Sequence, residues 1–157
     1  KADIIVEITG DCPLTDPKVV NRAISTYFSN ECDVVTNCGN VLTWPMGIYA
    51  QVFSLRLLKD VAENIFDPAV REHVSLYFYE NSDKYKIIDI IAPDPVRKPQ
   101  LRCQLDYDED LIFLNEVFAG LKSGHGFSFD TNTLIRYLDE HPELLKINSN
   151  CLEKNAR

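Results

Sequence analysis

Residues 2–17 read ADIIVEITGDCPLTDP, and this stretch decides the fold. Its apolar run, residues 3–9, has the length of a strand and is followed by Gly10 and Asp11. Near-continuous apolar runs of this kind are typical of parallel strands that are covered on both faces. Ligands of open α/β sheets bind outside the carboxyl ends of the strands. Asp11 therefore stands where an α/β enzyme would place a carboxylate that handles a metal or a phosphate.

The rest of the chain alternates segments with strand character and segments with helical periodicity. Asp16-Pro17 begins a helix with an N-cap acid and a proline in the first turn, and apolar residues recur at helical spacing through about residue 29. Ser123-Gly124-His125-Gly126 breaks the pattern before a last helix. The alternation predicts an α/β layered sheet. We expect further strands at residues 33–37, 48–53, 86–91 and 101–105, and further helices at about residues 54–65, 67–78, 108–121 and 130–141.

The composition excludes several classes of protein. The 157 residues suffice for one domain with a core, and 16 basic residues against 24 acidic ones give a net charge of −8. Without a block of Lys and Arg, a nucleic-acid-binding face is disfavoured. No apolar run approaches the length of a membrane span. The five cysteines form no CxxC pair and are odd in number, which indicates reduced thiols in a cytoplasmic protein.

A second acid repeats the pattern of the first. Residues 101–106, LRCQLD, again read as a strand that ends in an acid, Asp106, and a helix follows. Two such aspartates could converge at one edge of a sheet. Mg²⁺ takes hard oxygen ligands and commonly only one or two protein carboxylates, with phosphates completing its coordination. The alternative is that each acid is a turn or N-cap residue. Residues 108–110, all acidic, fit a role at the positive end of the helix dipole.

Five segments of the chain match, in order, the segments of one known family. They are TGDCPLTDP (9–17), WPMGIYAQVF (44–53), REHV (71–74), LDYDEDL (105–111) and LDEHPEL (138–144). They resemble the cytidylyltransferase-like proteins of spore-coat polysaccharide biosynthesis, in which the first segment reads TGDCPLIDP. These proteins are relatives of the CMP-KDO and CMP-sialic acid synthetases, and the match extends over nearly all of the chain.

The resemblance implies a fold and a set of site residues. The fold would be the Rossmann-like layered sheet of the nucleotide-diphospho-sugar transferases. Asp11 and Asp106 would be catalytic residues that bind Mg²⁺, which holds CTP while a sugar or sugar acid attacks the α-phosphorus and pyrophosphate leaves. Gly47 would let the backbone approach the ligand, and Arg71 and His73 would line the sugar side. The alternative for the Arg71–His73 stretch is a surface or interface network. The family also implies a homodimer.

Three departures from the family pattern limit this carry-over. Met46, Tyr49 and Gln51 replace acids in the second segment, so the sugar could differ from the usual one. The chain also contains no Gly-rich, basic loop of the kind that grips the nucleotide in the family, and it starts at what would be an interior strand. We therefore expect residues 1–122 to be the C-terminal part of a nucleotidyltransferase-like domain and residues 123–157 to be a C-terminal helix and tail. The isolated chain is expected to be inactive.

Two other functions remain open from the sequence. One is a non-catalytic dimerisation or interaction module of the same fold, favoured by the acidic surface and the missing loop. The other is a glycosyltransferase that binds a UDP-sugar, because Asp106-Tyr107-Asp108 has the spacing of an Asp-x-Asp motif. A single tripeptide of this kind is a weak signal.

Overall fold

A four-stranded mixed sheet forms the centre of the fold. The computed structural model describes residues 2–73, 75–126 and 128–154. The strands are β1 (Ile4–Glu7), β2 (Val34–Thr36), β3 (Gln51–Ser54) and β4 (Ile87–Asp89), in the order β1-β3-β2-β4. Strand β3 is antiparallel to both of its neighbours, β1 and β2, whereas β2 and β4 are parallel.

The opening strand differs from its expected form. We predicted a parallel strand covered on both faces, but β1 is half-buried and pairs with β3, which runs in the opposite direction. It lies at one edge of the described sheet. An apolar run indicates burial but not the direction of the neighbouring strand, so the pattern could not distinguish parallel from antiparallel pairing.

Helices cover both faces of the sheet and bury two separate cores. The helices are α1 (Pro17–Ser29), α2 (Leu55–Asn64), α3 (Pro68–Glu72), α4 (Leu76–Glu80), α5 (Asp108–His125) and α6 (Thr131–Glu140). On one face, Val52 and Val35 lie directly opposite each other and pack with apolar residues of α1, α5 and α6. On the other face, Phe53 and Val34 form the corresponding pair and pack with α2, α3 and α4.

Capping residues explain where the main helices begin. Asp16 and Asp130, at the N-caps of α1 and α6, each accept a hydrogen bond from a backbone amide of their own first turn. The second oxygen of Asp16 also accepts from the backbone amide and the hydroxyl of Thr131, both at 2.8 Å. One buried carboxylate therefore joins the start of α1 to the start of α6.

Two predicted boundaries were wrong. Residues 67–78 were expected to form one helix, but α3 and α4 are separate; residue 74 lies outside the described residues. The break expected at residues 123–126 is displaced, because α5 continues to His125 and ends at Gly126, which has a positive φ of 63°. Glycine adopts that conformation without the steric penalty of a side chain.

Residues 101–105, which we expected to form a strand, make only an isolated β-bridge. A single parallel bridge joins Arg102 to Met46, and the amide of Leu105 donates to the carbonyl of Asp11 at 2.9 Å. The segment thus lies between two loops and shares its backbone hydrogen bonds between them. Among the described residues, none of the helices has the length and apolarity needed to cross a bilayer.

Candidate functional site

Three strands have their carboxyl ends at the same end of the sheet, the carboxyl edge. Because β3 opposes β1 and β2, the strands β1, β2 and β4 all end where β3 begins. Asp11 follows β1 by four residues and therefore belongs to this edge. It is the edge at which open α/β sheets bind ligands.

Asp11 is held from both sides of its carboxylate. Its Oδ2 accepts a hydrogen bond of 2.7 Å from the side-chain amide of Gln104, and the thiol of Cys12 lies 3.6 Å from Oδ1. Burial acts to raise the pKa of Asp11, but hydrogen bonds from Thr9, Gln104 and the local backbone outweigh it and hold this pKa below its usual value. Asp11 is therefore a fixed and charged carboxylate at neutral pH.

Asp106 lies two residues after Gln104, so the segment 104–106 connects the two predicted metal ligands. The Asp106 side chain is 15% exposed, and its Oδ2 accepts from Arg102 Nη2 at 2.5 Å. The structure thus places Asp11 and Asp106 on hydrogen-bonded neighbouring segments of the chain. Sequence reasoning identified both acids but not Arg102, the ion-pair partner of Asp106.

Asp110 organises the turn that carries Asp106. It is fully buried, and it accepts hydrogen bonds from Arg102, from the amides of Asp106 and Tyr107, and from the side chain of Asn148. Burial acts to raise its pKa, but these donors outweigh burial and hold the pKa of Asp110 below its usual value. We had predicted only a helix-terminus role for Asp110, and the contacts with Arg102 and Asn148 went unforeseen.

The backbone at Gly47 lies very close to the backbone of residues 103 and 104. It has φ +87°, and a Cβ added there would lie 2.6 Å from the amide nitrogen of Gln104. The approach that the structure shows is therefore to the segment that lies against Asp11. The predicted contact of Gly47 with a ligand stays a prediction.

Arg71 and His73 lie at different places. Arg71 donates to the carbonyl of Ala62 at 2.7 Å, and its guanidinium lies over the ring of Phe66. His73 is half exposed and acts electrostatically on Glu7, the last residue of β1. The structure therefore gives Arg71 contacts with α2 and the turn that follows it, whereas His73 lies 4.0 Å from Glu72 and acts on Glu7 through its charge. Their substrate-binding roles remain predictions.

A row of polar side chains crosses the sheet at the same edge. Gln51 lies opposite Glu7 on one side and opposite Thr36 on the other, and Thr36 lies opposite Asp89. The Tyr79 hydroxyl donates to Gln51 and lies 3.1 Å from the Thr36 hydroxyl. Sequence reasoning missed this row. The available signal was that Glu7 and Asp89 each interrupt an otherwise apolar strand.

The two carboxylates of this row are not fully satisfied. Glu7 Oε2 and Asp89 Oδ1 are buried and make no hydrogen bond within the described part of the chain. Burial raises the pKa of both groups; His73 and Ser75 oppose the shift at Glu7, and backbone amides of residues 39–41 oppose it at Asp89. Burying these two carboxylates without full hydrogen bonding costs free energy, and this cost falls on residues next to the candidate site.

A metal at this site would have few protein ligands. Within the described residues, no group of three or more His, Cys, Asp or Glu side chains is arranged to hold a metal ion. The Asp11 carboxylate is flanked by the Thr9 hydroxyl, the Gln104 amide and the Cys12 thiol, and Asp106 adds a second carboxylate. Burial raises the pKa of the Cys12 thiol to about 12, so this thiol stays protonated at neutral pH and is a poor metal ligand. Hard oxygen donors in this small number suit Mg²⁺ that completes its coordination with water and phosphate, and do not suit a closed zinc site.

A family model and a solved structure both match nearly the whole chain. The model described as cytidylyltransferase matches residues 1–142. A cytidylyltransferase structure from Leptospira borgpetersenii superposes with a TM-score of 0.82 at 26% identity, over 98% of this chain and 61% of the other. The expected α/β fold class is thereby confirmed.

Two relatives are similar in sequence. An uncharacterized protein of Methanocaldococcus jannaschii is 29% identical over 99% of this chain and 61% of its own length. The spore coat polysaccharide biosynthesis protein SpsF of Bacillus subtilis is 28% identical over 91% of this chain and 58% of its own length. The chain thus spans about three fifths of the relatives that it matches.

Proposed function

This chain belongs to the cytidylyltransferase family, and we propose that it contributes to the transfer of a cytidylyl group from CTP to a sugar for polysaccharide biosynthesis. The similarity to SpsF supports the polysaccharide context. The observation that carries the proposal is the pairing of Asp11 with the segment 104–106 at the carboxyl edge of the sheet. It brings together two acids that are far apart in the sequence.

Asp11 and Asp106 are the residues that would hold Mg²⁺. When bound, this ion would neutralise charge on the phosphates of the nucleotide. Gln104 orients the carboxylate of Asp11, and Arg102 fixes one oxygen of Asp106. Both acids are thereby preorganised before a nucleotide arrives, which lowers the reorganisation needed on binding.

His73 is the better placed of the two predicted sugar contacts. It acts electrostatically on Glu7, the last residue of β1, whereas the contacts of Arg71 are with Ala62 and Phe66. We propose that His73 faces the sugar. We also propose that the sugar is not the family's usual one, because Met46, Tyr49 and Gln51 stand where the family has acids.

We further propose that the 157 residues do not turn over CTP alone, because they contain no Gly-rich basic loop for the nucleotide. Pyrophosphate release from CTP, Mg²⁺ and candidate sugars, measured for the 157-residue chain and for the complete gene product, tests this. Clear turnover by the 157-residue chain would contradict the proposal that it is inactive. From the resemblance to the family, we also propose that the protein acts as a homodimer.

Nucleotide binding tests the function itself. Calorimetric titration of the complete gene product with CTP, UTP and a UDP-sugar, each with and without Mg²⁺, should show Mg²⁺-dependent binding of CTP. Asp11→Asn and Asp106→Asn should each weaken it at least tenfold, and Asp108→Asn, an acid in the same turn, by less than threefold. A preference for the UDP-sugar would support a glycosyltransferase, and binding of none would support a non-catalytic module.

A further inference from the structure

Arg102 is shared unequally between two acids. Its Nε and Nη2 atoms donate to the two oxygens of Asp110, at 2.8 and 2.9 Å, which is a bidentate pairing. The same Nη2 donates to a single oxygen of Asp106, Oδ2. Nη1 points elsewhere and lies 3.2 Å from the sulfur of Met46. Asp110 therefore receives the planar fork of the guanidinium, and Asp106 receives one hydrogen bond at its side.

The position of Asp110 is fixed independently of Arg102. Its Oδ2 accepts from the amides of Asp106 and Tyr107 at 3.0 and 3.1 Å, and its Oδ1 accepts from Asn148 at 2.9 Å. The residue has no exposed surface. Because both of its oxygens are held by neutral donors as well, Asp110 is a rigid anchor to which the guanidinium is aligned.

We infer that Asp110 is a positioning residue that keeps Arg102 from forming a bidentate pair with Asp106, and so leaves one carboxylate oxygen of Asp106 for a divalent cation. This inference rests on the proposed role of Asp106. Among the described residues, the structure pairs Arg102 with two carboxylates, so that without Asp110 the guanidinium would be left with Asp106. The fork geometry favours two parallel hydrogen bonds to it. Both carboxylate oxygens of Asp106 would then be occupied by the ion pair with Arg102.

A purely structural role for Asp110 makes a different prediction. Asp110 also closes a capping box at the start of α5 by accepting from the amide of Tyr107. If the cap alone mattered, then removing the charge of Arg102 would not restore what the loss of Asp110 takes away. The two roles therefore separate in a double variant.

The test uses Mn²⁺ as the probe and the NMR amide signals of the complete gene product as the readout. Broadening of signals from residues near Asp11 and Asp106 reports binding without any need for turnover. Asp110→Asn should weaken Mn²⁺ binding at least tenfold, the usual range for loss of a residue that orients a metal ligand. Adding Arg102→Gln to this variant should restore the affinity to within threefold of the unmodified chain or better. Asp139→Asn, which removes the same charge from an exposed pair with Lys98, is the control and should change the affinity less than twofold.

Each outcome decides something. Recovery in the double variant supports the inference, and a double variant as weak as the single one overturns it. If Asp110→Asn does not fold, the double variant is compared directly with the unmodified chain, and an affinity more than tenfold weaker again overturns the inference. Absence of Mn²⁺ binding near Asp106 in the unmodified chain would instead defeat the proposed metal site.

Discussion

The side-chain amide of Gln104 donates a 2.7 Å hydrogen bond to Asp11 Oδ2, although 93 residues separate the two in the sequence. The neighbouring amide of Leu105 donates to the carbonyl of Asp11. Two contacts, one from a side chain and one from the backbone, thus fix the turn after β1 against the segment that leads to Asp106. The orientation of Asp11 depends on a residue that no motif had singled out.

Gln104→Glu should raise the pKa of Asp11. The substitution removes a hydrogen-bond donor and places a second negative charge beside the carboxylate, and both changes disfavour its ionised form. The chemical shift of the Asp11 carboxyl carbon, followed against pH by ¹³C NMR, measures the effect. Gln100→Glu adds the same charge at an exposed position and should leave the Asp11 titration nearly unchanged. An Asp11 titration that does not move in the Gln104 variant would show that the bond has no influence on its charge.

Asp16→Ala should destabilise the fold by about 2–4 kcal/mol, because it removes a helix cap and two buried hydrogen bonds from Thr131. Ser54→Ala, which removes the cap of α2, should cost about 1 kcal/mol. Urea unfolding measures both, with the single tryptophan, the buried Trp44, as the fluorescent reporter. Equal costs for the two variants would mean that the link between α1 and α6 adds no stability.

Gly47→Ala should cost more than about 2 kcal/mol, since it combines a positive φ with a Cβ 2.6 Å from backbone. Gly10→Ala is the matched control, because a Cβ there meets nothing within 4 Å. Its stability should stay within about 1 kcal/mol of the unmodified chain. The same urea titration compares the two. A Gly47 variant as stable as the Gly10 variant would contradict the close approach to residues 103–104.

Glu7→Gln should become more stabilising, relative to the unmodified chain, as the pH rises. Burial raises the pKa of Glu7 above 4.5, so the folded state favours its protonated form. The stability that the protonated carboxyl contributes is fully present below the unfolded-state pKa and is lost as the pH rises through the folded-state pKa. A glutamine cannot ionise and escapes this loss. Urea unfolding of both proteins between pH 4 and pH 7 gives the difference, and Glu63→Gln on the exposed side of α2 corrects for the change in net charge. A difference that falls with pH would contradict the raised pKa.

The sequence predicted the helices better than the sheet. Asp16, Ser54 and Asp130 are local capping signals, and the helices α1, α2 and α6 begin where these residues predict. The direction of β1 depends on β3, which is distant in the chain, so no local signal could reveal an antiparallel pair. The segment 101–105 has the composition of a strand, but its partners turned out to be the loops at Met46 and Asp11.

The candidate site divides in the same way. Asp11 and Asp106 were identifiable because strand-end acids stand out in apolar surroundings. Arg102, Gln104 and Asn148 carry no such signal, since their importance lies only in their partners. The polar row across the sheet follows from the strand register, which the sequence did not specify.

The turn that carries Asp106 is completed late in the chain. Asn148 donates both to Asp110 and to the carbonyl of Arg102, from 38 and 46 residues further on. During synthesis on a ribosome, the anchor for Arg102 cannot be complete until residue 148 has left the exit tunnel. Contacts between distant parts of a chain also form slowly, because loop closure costs entropy before the contact forms. A nascent chain would therefore form its sheet and its first helices before the turn that carries Asp106 is fixed in place.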